Sequence, residues 1–128
     1  MSEKVLLVDD EQDLLDAMAE RMRVRGMEVS TTTSAWDALQ KTEEGLYDAI
    51  VIDLMMPEMD GLEVLKAIKE KKPDMQVILL TGLATVEKSQ EAIKLGAMDL
   101  MEKPPDLIAL TEKIRKAKTR KMSKNKGP

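Results

Sequence analysis

The chain has 128 residues, is 43% hydrophobic and carries a net charge of −4, which is the size and composition of one globular domain. It contains no cysteine and no histidine, so disulfide frameworks, thiolate zinc sites, Ser-His-Asp triads and cysteine nucleophiles are excluded. The remaining chemistry is that of carboxylates, hydroxyls and lysine, with a hard metal ion if one binds.

The distribution of apolar and charged residues indicates the compartment and one unusual segment. No apolar run approaches the roughly 18 residues of a membrane span, and the apolar run at residue 4 leaves no room for a signal peptide. We therefore expect a soluble, cytoplasmic protein without a membrane span.

Residues 113–128 carry eight Lys or Arg and no acid, whereas residues 1–112 have a net charge of −12. Such a basic block is typical of a solvated helix end, and contact with an anionic partner is the alternative.

Strand-like and helix-like segments alternate from the start of the chain. The first apolar run is KVLLVD (4–9), and apolar residues at helical spacing follow it until Gly26. A weaker strand, MEVSTT (27–32), comes next, and Ser34 is placed to cap a second helix. These segments predict two consecutive βα units.

The same alternation continues to the end of the chain. The remaining segments are strand 47–53 (YDAIVID), a helix ended by Pro73, strand 76–81, helix 86–95, strand 98–103 and a helix from Asp106. The strands are apolar nearly throughout instead of at every second residue, which is typical of a parallel sheet covered on both faces. We therefore predict a doubly wound α/β fold with five parallel strands and five helices.

Chemically active side chains stand at the ends of the predicted strands. The first strand ends at Asp9 and Asp10, the third at Asp53, the fourth at Thr81 and the fifth at Lys103. Ligands of such folds bind at the carboxyl ends of the strands, so these side chains are expected on one rim. Each also has a structural explanation, since Asp10 and Thr81 are placed to cap helices and Asp53 to begin a turn. Together they predict a cation site, because clustered carboxylates repel one another unless a cation lies among them.

Mg²⁺ is the cation that this set of residues predicts. It takes oxygen ligands in octahedral geometry, commonly one or two carboxylates together with waters and a phosphate oxygen. We predict Asp10 and Asp53 as direct ligands and Asp9 as a contact to a bound water. The backbone carbonyl of Met55, two residues past Asp53, is a further candidate oxygen.

A phosphate at this rim would meet Lys103 as a positive charge and Thr81 as a hydrogen-bond donor. Asp53 ends a central strand, so its carboxylate is placed to attack an incoming phosphorus in line. Gly82 leaves space for the approaching group. The residues therefore predict phosphoryl transfer to Asp53.

Five short motifs, LLVDDE, VIDLMMPEMDG, LLTG, EAIKLGA and EKPPDL, follow one another over residues 4 to about 118. In order and spacing they resemble the receiver domain of bacterial two-component response regulators. The resemblance implies a flavodoxin-like fold with strand order 2-1-3-4-5. It also implies these roles: phosphoacceptor Asp53, Mg²⁺ at Asp10 and Asp53 with help from Asp9, switch hydroxyl Thr81, phosphate-pairing Lys103, and a cis bond from Lys103 to Pro104.

The predicted function is that of a phosphorylation-switched signalling domain, without enzymatic activity beyond its own phosphoryl transfer and dephosphorylation. A sensor histidine kinase or phosphotransfer protein would donate phosphate to Asp53, and the added charge would alter the surface of the fourth helix, fifth strand and fifth helix. That surface would bind a partner or a second copy. One alternative is a flavodoxin-like module binding FMN or a nucleotide, which the acidic first loop disfavours. A small phosphatase with an aspartate nucleophile is the other, although the chain is short for a substrate cleft or cap.

Some features depart from the family pattern or lie outside it. Leu100 stands three residues before Lys103, where the family often has tyrosine or phenylalanine, so the usual aromatic coupling to Thr81 is absent. We divide the chain into a receiver domain, 1–118, and a basic tail or linker start, 119–128. The receiver either stands alone or begins a longer regulator with an appended output domain, and we expect it to make no direct contact with nucleic acid.

Overall fold

The computed structural model describes residues 2–125, with side chains up to Arg120 in the last helix. Strands and helices alternate in this order: β1 Lys4–Val8, α1 Gln12–Val24, β2 Glu28–Thr32, α2 Ala35–Glu44, β3 Ala49–Asp53, α3 Gly61–Lys71, β4 Val77–Thr81, α4 Val86–Lys94, β5 Asp99–Glu102 and α5 Leu107–Asn125. Every predicted element is present, and the strands are shorter than predicted by one or two residues. As a result, Asp9 and Lys103 lie just beyond the strands that lead to them.

The five strands form one parallel sheet in the order β2-β1-β3-β4-β5, which confirms the flavodoxin-like order. β3 is the central strand, with Asp53 opposite Leu80 in β4. Thr81, the last residue of β4, lies opposite Glu102 in β5. This register brings the carboxyl ends of the strands to the same edge of the sheet. The predicted cis bond between Lys103 and Pro104 is also present.

The helices cover both faces of the sheet because successive side chains of a strand point to opposite faces. In β3, Ile50 and Ile52 pack in the cluster beneath α2, α3 and α4, whereas Val51 packs in the cluster beneath α1 and α5. All three side chains are buried, and burial of an aliphatic side chain of this size contributes about 1.5–3 kcal/mol. The apolar run that predicted β3 is therefore explained by two hydrophobic layers.

Polar caps and one glycine fix the loops at the rim. Ser34 caps α2 as predicted, accepting a hydrogen bond from the Asp37 backbone N–H at 3.2 Å. Gly61 begins α3, where a Cβ would lie only 2.7 Å from the Leu54 Cα and 2.9 Å from the Asp53 carbonyl oxygen. The Gly61 N–H donates to the Leu54 carbonyl at 2.7 Å, so α3 begins directly against the end of β3.

Two large apolar side chains differ in exposure, and the last helix continues past the predicted end of the receiver domain. Trp36 is 60% exposed on α2, whereas Leu100 is buried. α5 continues without a break through residue 118 to Asn125, while residues 126–128 of the predicted tail lie outside the described residues. None of the helices in the described range is long and apolar enough to cross a membrane.

Candidate functional site

Three of the predicted carboxylates meet at the carboxyl edge of the sheet. One oxygen from each of Asp9, Asp10 and Asp53 lies within 4.8 Å of the others. Asp9 and Asp53 are buried, whereas Asp10 is exposed to solvent. The protein thus encloses two of the three carboxylates, and the third faces the solvent, from which a ligand can approach.

Asp9 lies deepest in the cluster. Its Oδ1 accepts a hydrogen bond from the Glu11 backbone N–H at 2.9 Å. Its Oδ2 is fully buried and accepts no well-directed hydrogen bond from the described residues. The Lys103 Nζ lies 2.7 Å from this oxygen and forms an ion pair with it.

Lys103 connects two of the carboxylates. Its Nζ lies 3.3 Å from the Asp53 Oδ2 in addition to the contact with Asp9. The Lys103 backbone N–H donates to the Thr81 carbonyl at 2.8 Å, which holds the lysine against the end of β4. The side chain is 17% exposed, so the ammonium group is mostly enclosed by the site.

The surroundings of Asp53 and Lys103 shift their acidities. Burial and the neighbouring charge of Asp9 raise the pKa of Asp53, and the Met55 N–H and the Lys103 ammonium only partly oppose this. Burial alone would lower the pKa of Lys103, but its contacts with Asp9 and Asp53 outweigh burial and raise it. The lysine therefore stays positively charged, while a negative charge on Asp53 is less favourable than on an aspartate exposed to water.

Thr81 and Met55 border the cluster without joining it. The Thr81 hydroxyl is buried and lies 3.4 Å from both the backbone N–H and the carbonyl of Leu83. The Met55 backbone N–H donates to the Asp53 Oδ1 at 3.3 Å, and the Met55 side chain is exposed. A Cβ added at Gly82 would meet no described atom within 4 Å, so the space beside Thr81 is open.

Helix capping and turn formation are the structural roles that could explain the site residues. The N-cap of α1 is Glu11, not Asp10, and the N-cap of α4 is Thr85, not Thr81. Asp53 makes the turn hydrogen bond that a structural role predicts, and Asp9 and Thr81 make the same kind of contact with the backbone N–H two residues ahead. Capping therefore accounts for neither Asp10 nor Thr81 at the rim.

Two glutamates at the rim were missed by the sequence analysis. The Glu102 Oε1 accepts a hydrogen bond from the Ala84 backbone N–H at 3.0 Å and so holds the loop between β4 and α4. Glu58 contacts the N-terminus of α2 from the loop between β3 and α3. Neither contact has a sequence signal, because exposed loop glutamates are common and their partners lie 18 to 24 residues away.

The donor set fits Mg²⁺. All of the ligand atoms are oxygens, and the buried Asp9 Oδ2, although paired with Lys103, accepts no hydrogen bond from the described residues and can accept one from a water on the cation. Asp10 and Asp53 would hold the ion directly, Asp9 would contact its water, and the Met55 carbonyl would complete the protein ligands. A groove of about 560 Å³ lies elsewhere, beside Gly96 and the start of β4, and none of the site residues borders it.

The raised pKa of Asp53 predicts a pH-dependent stability in the absence of divalent metal. The protonated carboxyl favours the folded state, and this contribution is lost as the pH rises from the ordinary value of 3.8 through the higher folded-state pKa. Asp53→Asn keeps the site neutral, so we expect the variant to be more stable than the wild type at pH 7 and the difference to shrink at low pH. Urea unfolding at several pH values measures this, with Asp13→Asn, an exposed aspartate outside the carboxylate cluster, as the control. A variant less stable than the wild type at pH 7 would contradict the prediction.

Comparisons with known sequences point to one family of domains. A family model described as the response regulator receiver domain matches residues 5–115. The photosynthetic apparatus regulatory protein RegA of Rhodobacter capsulatus is 35% identical over 112 residues, which are 86% of this chain and 60% of RegA. The transcriptional regulatory protein ZraR of Salmonella typhimurium is 35% identical over 113 residues, which are 88% of this chain and 26% of ZraR. The chain therefore spans about a quarter to three-fifths of the length of these relatives.

Solved structures give the same result for the fold. A response regulator receiver domain from Clostridium thermocellum matches with a TM-score of 0.88 and 32% identity, over 94% of this chain and 97% of that one. A CheY-like receiver domain protein from Methanospirillum hungatei has a TM-score of 0.88 and 28% identity, over 97% and 99% of the two chains. The similarity thus extends over nearly the whole domain in both cases.

Proposed function

We propose that this chain, which belongs to the response regulator receiver domain family, accepts a phosphoryl group on Asp53 and changes a partner-binding surface in response. Receiver domains are signalling modules, so the reaction serves to switch the protein. The observation that carries the proposal is the position of Asp53. Its buried carboxylate ends the central strand between Asp9 and Lys103, beside the exposed Asp10.

The proposed reaction is an in-line displacement at phosphorus. One Asp53 carboxylate oxygen forms the new bond to phosphorus while the bond from phosphorus to the donor breaks, and the leaving group keeps the electron pair. Lys103 neutralises negative charge on the transferring group, and its raised pKa keeps it protonated for this role. A bound Mg²⁺ would neutralise further charge on the phosphoryl oxygens. Asp9 and Asp10 would retain the cation, and the open space at Gly82 admits the donor.

The switch is proposed to begin at Thr81. An aspartyl phosphate carries a charge of about −1.5 to −2 in place of the single negative charge of the carboxylate, and it brings new acceptor oxygens beside the Thr81 hydroxyl. The hydroxyl's contacts with Leu83 are long, so a phosphoryl oxygen is a competitive partner. Movement of Thr81 would release Leu83 and the start of α4. Val86, the first residue of this helix, and Ile93, near its end, are also exposed. This apolar surface is our candidate for binding a downstream protein or a second copy of the chain.

The proposed phosphoryl donor is a sensor histidine kinase or a phosphotransfer protein. The cytoplasm stays the predicted compartment, and the receiver itself is proposed to make no direct contact with nucleic acid. The relatives named above are regulatory proteins longer than this chain, so an output domain linked to the receiver is one candidate partner and a separate protein is the other.

Labelling with a small phosphoryl donor tests the proposal. Incubation with acetyl phosphate and Mg²⁺ should add one phosphoryl group to the intact protein, detected by mass spectrometry, and hydroxylamine should remove it because acyl phosphates react with this nucleophile. Chelation of Mg²⁺ should prevent the labelling. Absence of any mass increase with Mg²⁺ would refute the proposal, while a flavin absorbance band or turnover of a phosphomonoester would favour the two alternative functions.

A further inference from the structure

Glu58 makes a contact between two rim loops that the proposed reaction does not yet use. It lies in the loop between β3 and α3, close after Asp53. Its Oε1 accepts a hydrogen bond from the Ala35 backbone N–H at 3.1 Å, and its Oε2 accepts one from the Ser34 hydroxyl at 3.2 Å. Both oxygens of one carboxylate are therefore directed to the N-terminus of α2.

The contact is favourable both for the N-terminus of α2 and for the Glu58 carboxylate. The first N–H groups of a helix lack partners within the helix, and a negative charge near them is stabilised by the helix dipole. The Ser34 oxygen already accepts a hydrogen bond from the Asp37 N–H, so its hydroxyl hydrogen is available for Glu58. Glu58 thus extends the cap of α2 with a side chain from another loop.

Within the described residues, the other side-chain hydrogen bonds of the β3–α3 loop join Met55 to Asp53 and Glu63 to Asp60. The buried Met56 side chain and two backbone hydrogen bonds, from Leu54 to Leu80 and from Gly61 to Leu54, hold the inner side of the loop. On the outer side, the Met55 N–H contacts Asp53 at 3.3 Å, which is beyond the usual range for such bonds. Met55 is the residue whose carbonyl is the proposed backbone ligand of Mg²⁺, so its position determines the geometry of the cation site.

We infer that Glu58 is a positioning residue for the cation site: by holding the N-terminus of α2, it fixes the loop that presents Met55 beside Asp53. The inference rests on the proposed function, because it concerns the same cation. It assigns Glu58 no direct contact with the ion, and it ties the position of α2 to the geometry of the phosphorylation site.

Two substitutions of Glu58 separate this role from the effect of its charge. Glu58→Gln loses the negative charge but keeps an oxygen that accepts the Ala35 N–H, whereas Glu58→Ala loses both. We expect Glu58→Ala to weaken Mg²⁺ binding by about tenfold, the lower end of losses seen when outer partners of metal ligands are removed. The Mg²⁺ affinity of Glu58→Gln should stay within about threefold of the wild-type value, since the hydrogen bond from the Ala35 N–H persists. Isothermal titration calorimetry with MgCl₂ measures the three affinities.

Amide hydrogen exchange without metal gives an independent readout. Glu58→Ala should increase the exchange rates of residues 54–60 and 34–37 together, while Glu58→Gln leaves both segments near the wild-type rates. Equal loss of Mg²⁺ affinity in the two variants would overturn the inference, because charge alone would then explain it. Faster exchange confined to residues 34–37, with Mg²⁺ affinity unchanged, would reduce Glu58 to a cap of α2. A wild-type chain that binds no Mg²⁺ would refute the proposed function as well, whereas normal wild-type binding unaffected by Glu58→Ala would refute this inference alone.

Discussion

Replacing Asp53 with asparagine is expected to abolish phosphoryl incorporation from acetyl phosphate, with labelling falling to background. The carboxylate is the proposed nucleophile, and a neutral amide at the same position has neither its charge nor its reactivity. The fold should persist, since the change removes an unfavourable buried charge without altering the size of the side chain. Intact-protein mass spectrometry after incubation with acetyl phosphate and Mg²⁺ gives the result directly.

The control for this experiment is Asp13→Asn, which removes an exposed aspartate from the first turn of α1. This variant should be labelled like the wild type, since its charge is not part of the carboxylate cluster. Undiminished labelling of Asp53→Asn would show that another residue accepts the phosphoryl group. In that case the central role of Asp53 would be wrong even if the domain is phosphorylated.

Gly61→Ala is expected to lower the free energy of unfolding by about 1–3 kcal/mol and to slow the labelling of Asp53. The added methyl group would lie 2.7 Å from the Leu54 Cα and 2.9 Å from the Asp53 carbonyl oxygen, so either α3 or the end of β3 must move. Both atoms belong to the backbone and cannot rotate away as a flexible side chain would. Urea unfolding measures the stability, and the rate of phosphoryl incorporation reports the displacement of the site.

Gly82→Ala is the matched control for the change in stability. A Cβ at Gly82 meets no described atom within 4 Å, so its effect on unfolding should be within about 0.5 kcal/mol. If Gly61→Ala and this control had the same free energy of unfolding, the result would contradict the close approach of α3 to β3. Labelling is compared between Gly61→Ala and the wild type only, because Gly82 borders the path of the phosphoryl donor.

The sheet and the main site residues were predictable because they depend on local sequence. Uninterrupted runs such as AIVID indicate strands buried on both faces, and a charged residue at the end of such a run falls at the rim of a parallel sheet. These two rules predict that Asp53, Thr81 and Lys103 lie together at the rim. The strand order followed from the resemblance to the receiver family, since periodicity alone does not define which strands are neighbours.

The contacts between loops were not predictable in the same way. Thr81 and Thr85 are both plausible caps for α4, and only the path of the loop makes Thr85 the cap. The hydrogen bonds of Glu58 and Glu102 join residues far apart in sequence, and their donors are a serine hydroxyl and backbone N–H groups that carry no sequence signature. Such contacts depend on the tertiary positions of both loops, which hydrophobic patterns do not encode.

The ion pairs of Lys103 have a consequence for the unphosphorylated domain. With its ammonium 2.7 Å from Asp9 and 3.3 Å from Asp53, the lysine serves as an internal counter-ion. A metal ion entering the cluster would add its positive charge beside that of the lysine, and repulsion between the two would favour movement of the ammonium toward a group on Asp53. The resting domain therefore has its own positive charge beside the acidic centre, and under the proposed function we expect its readiness to react to follow the free Mg²⁺ concentration.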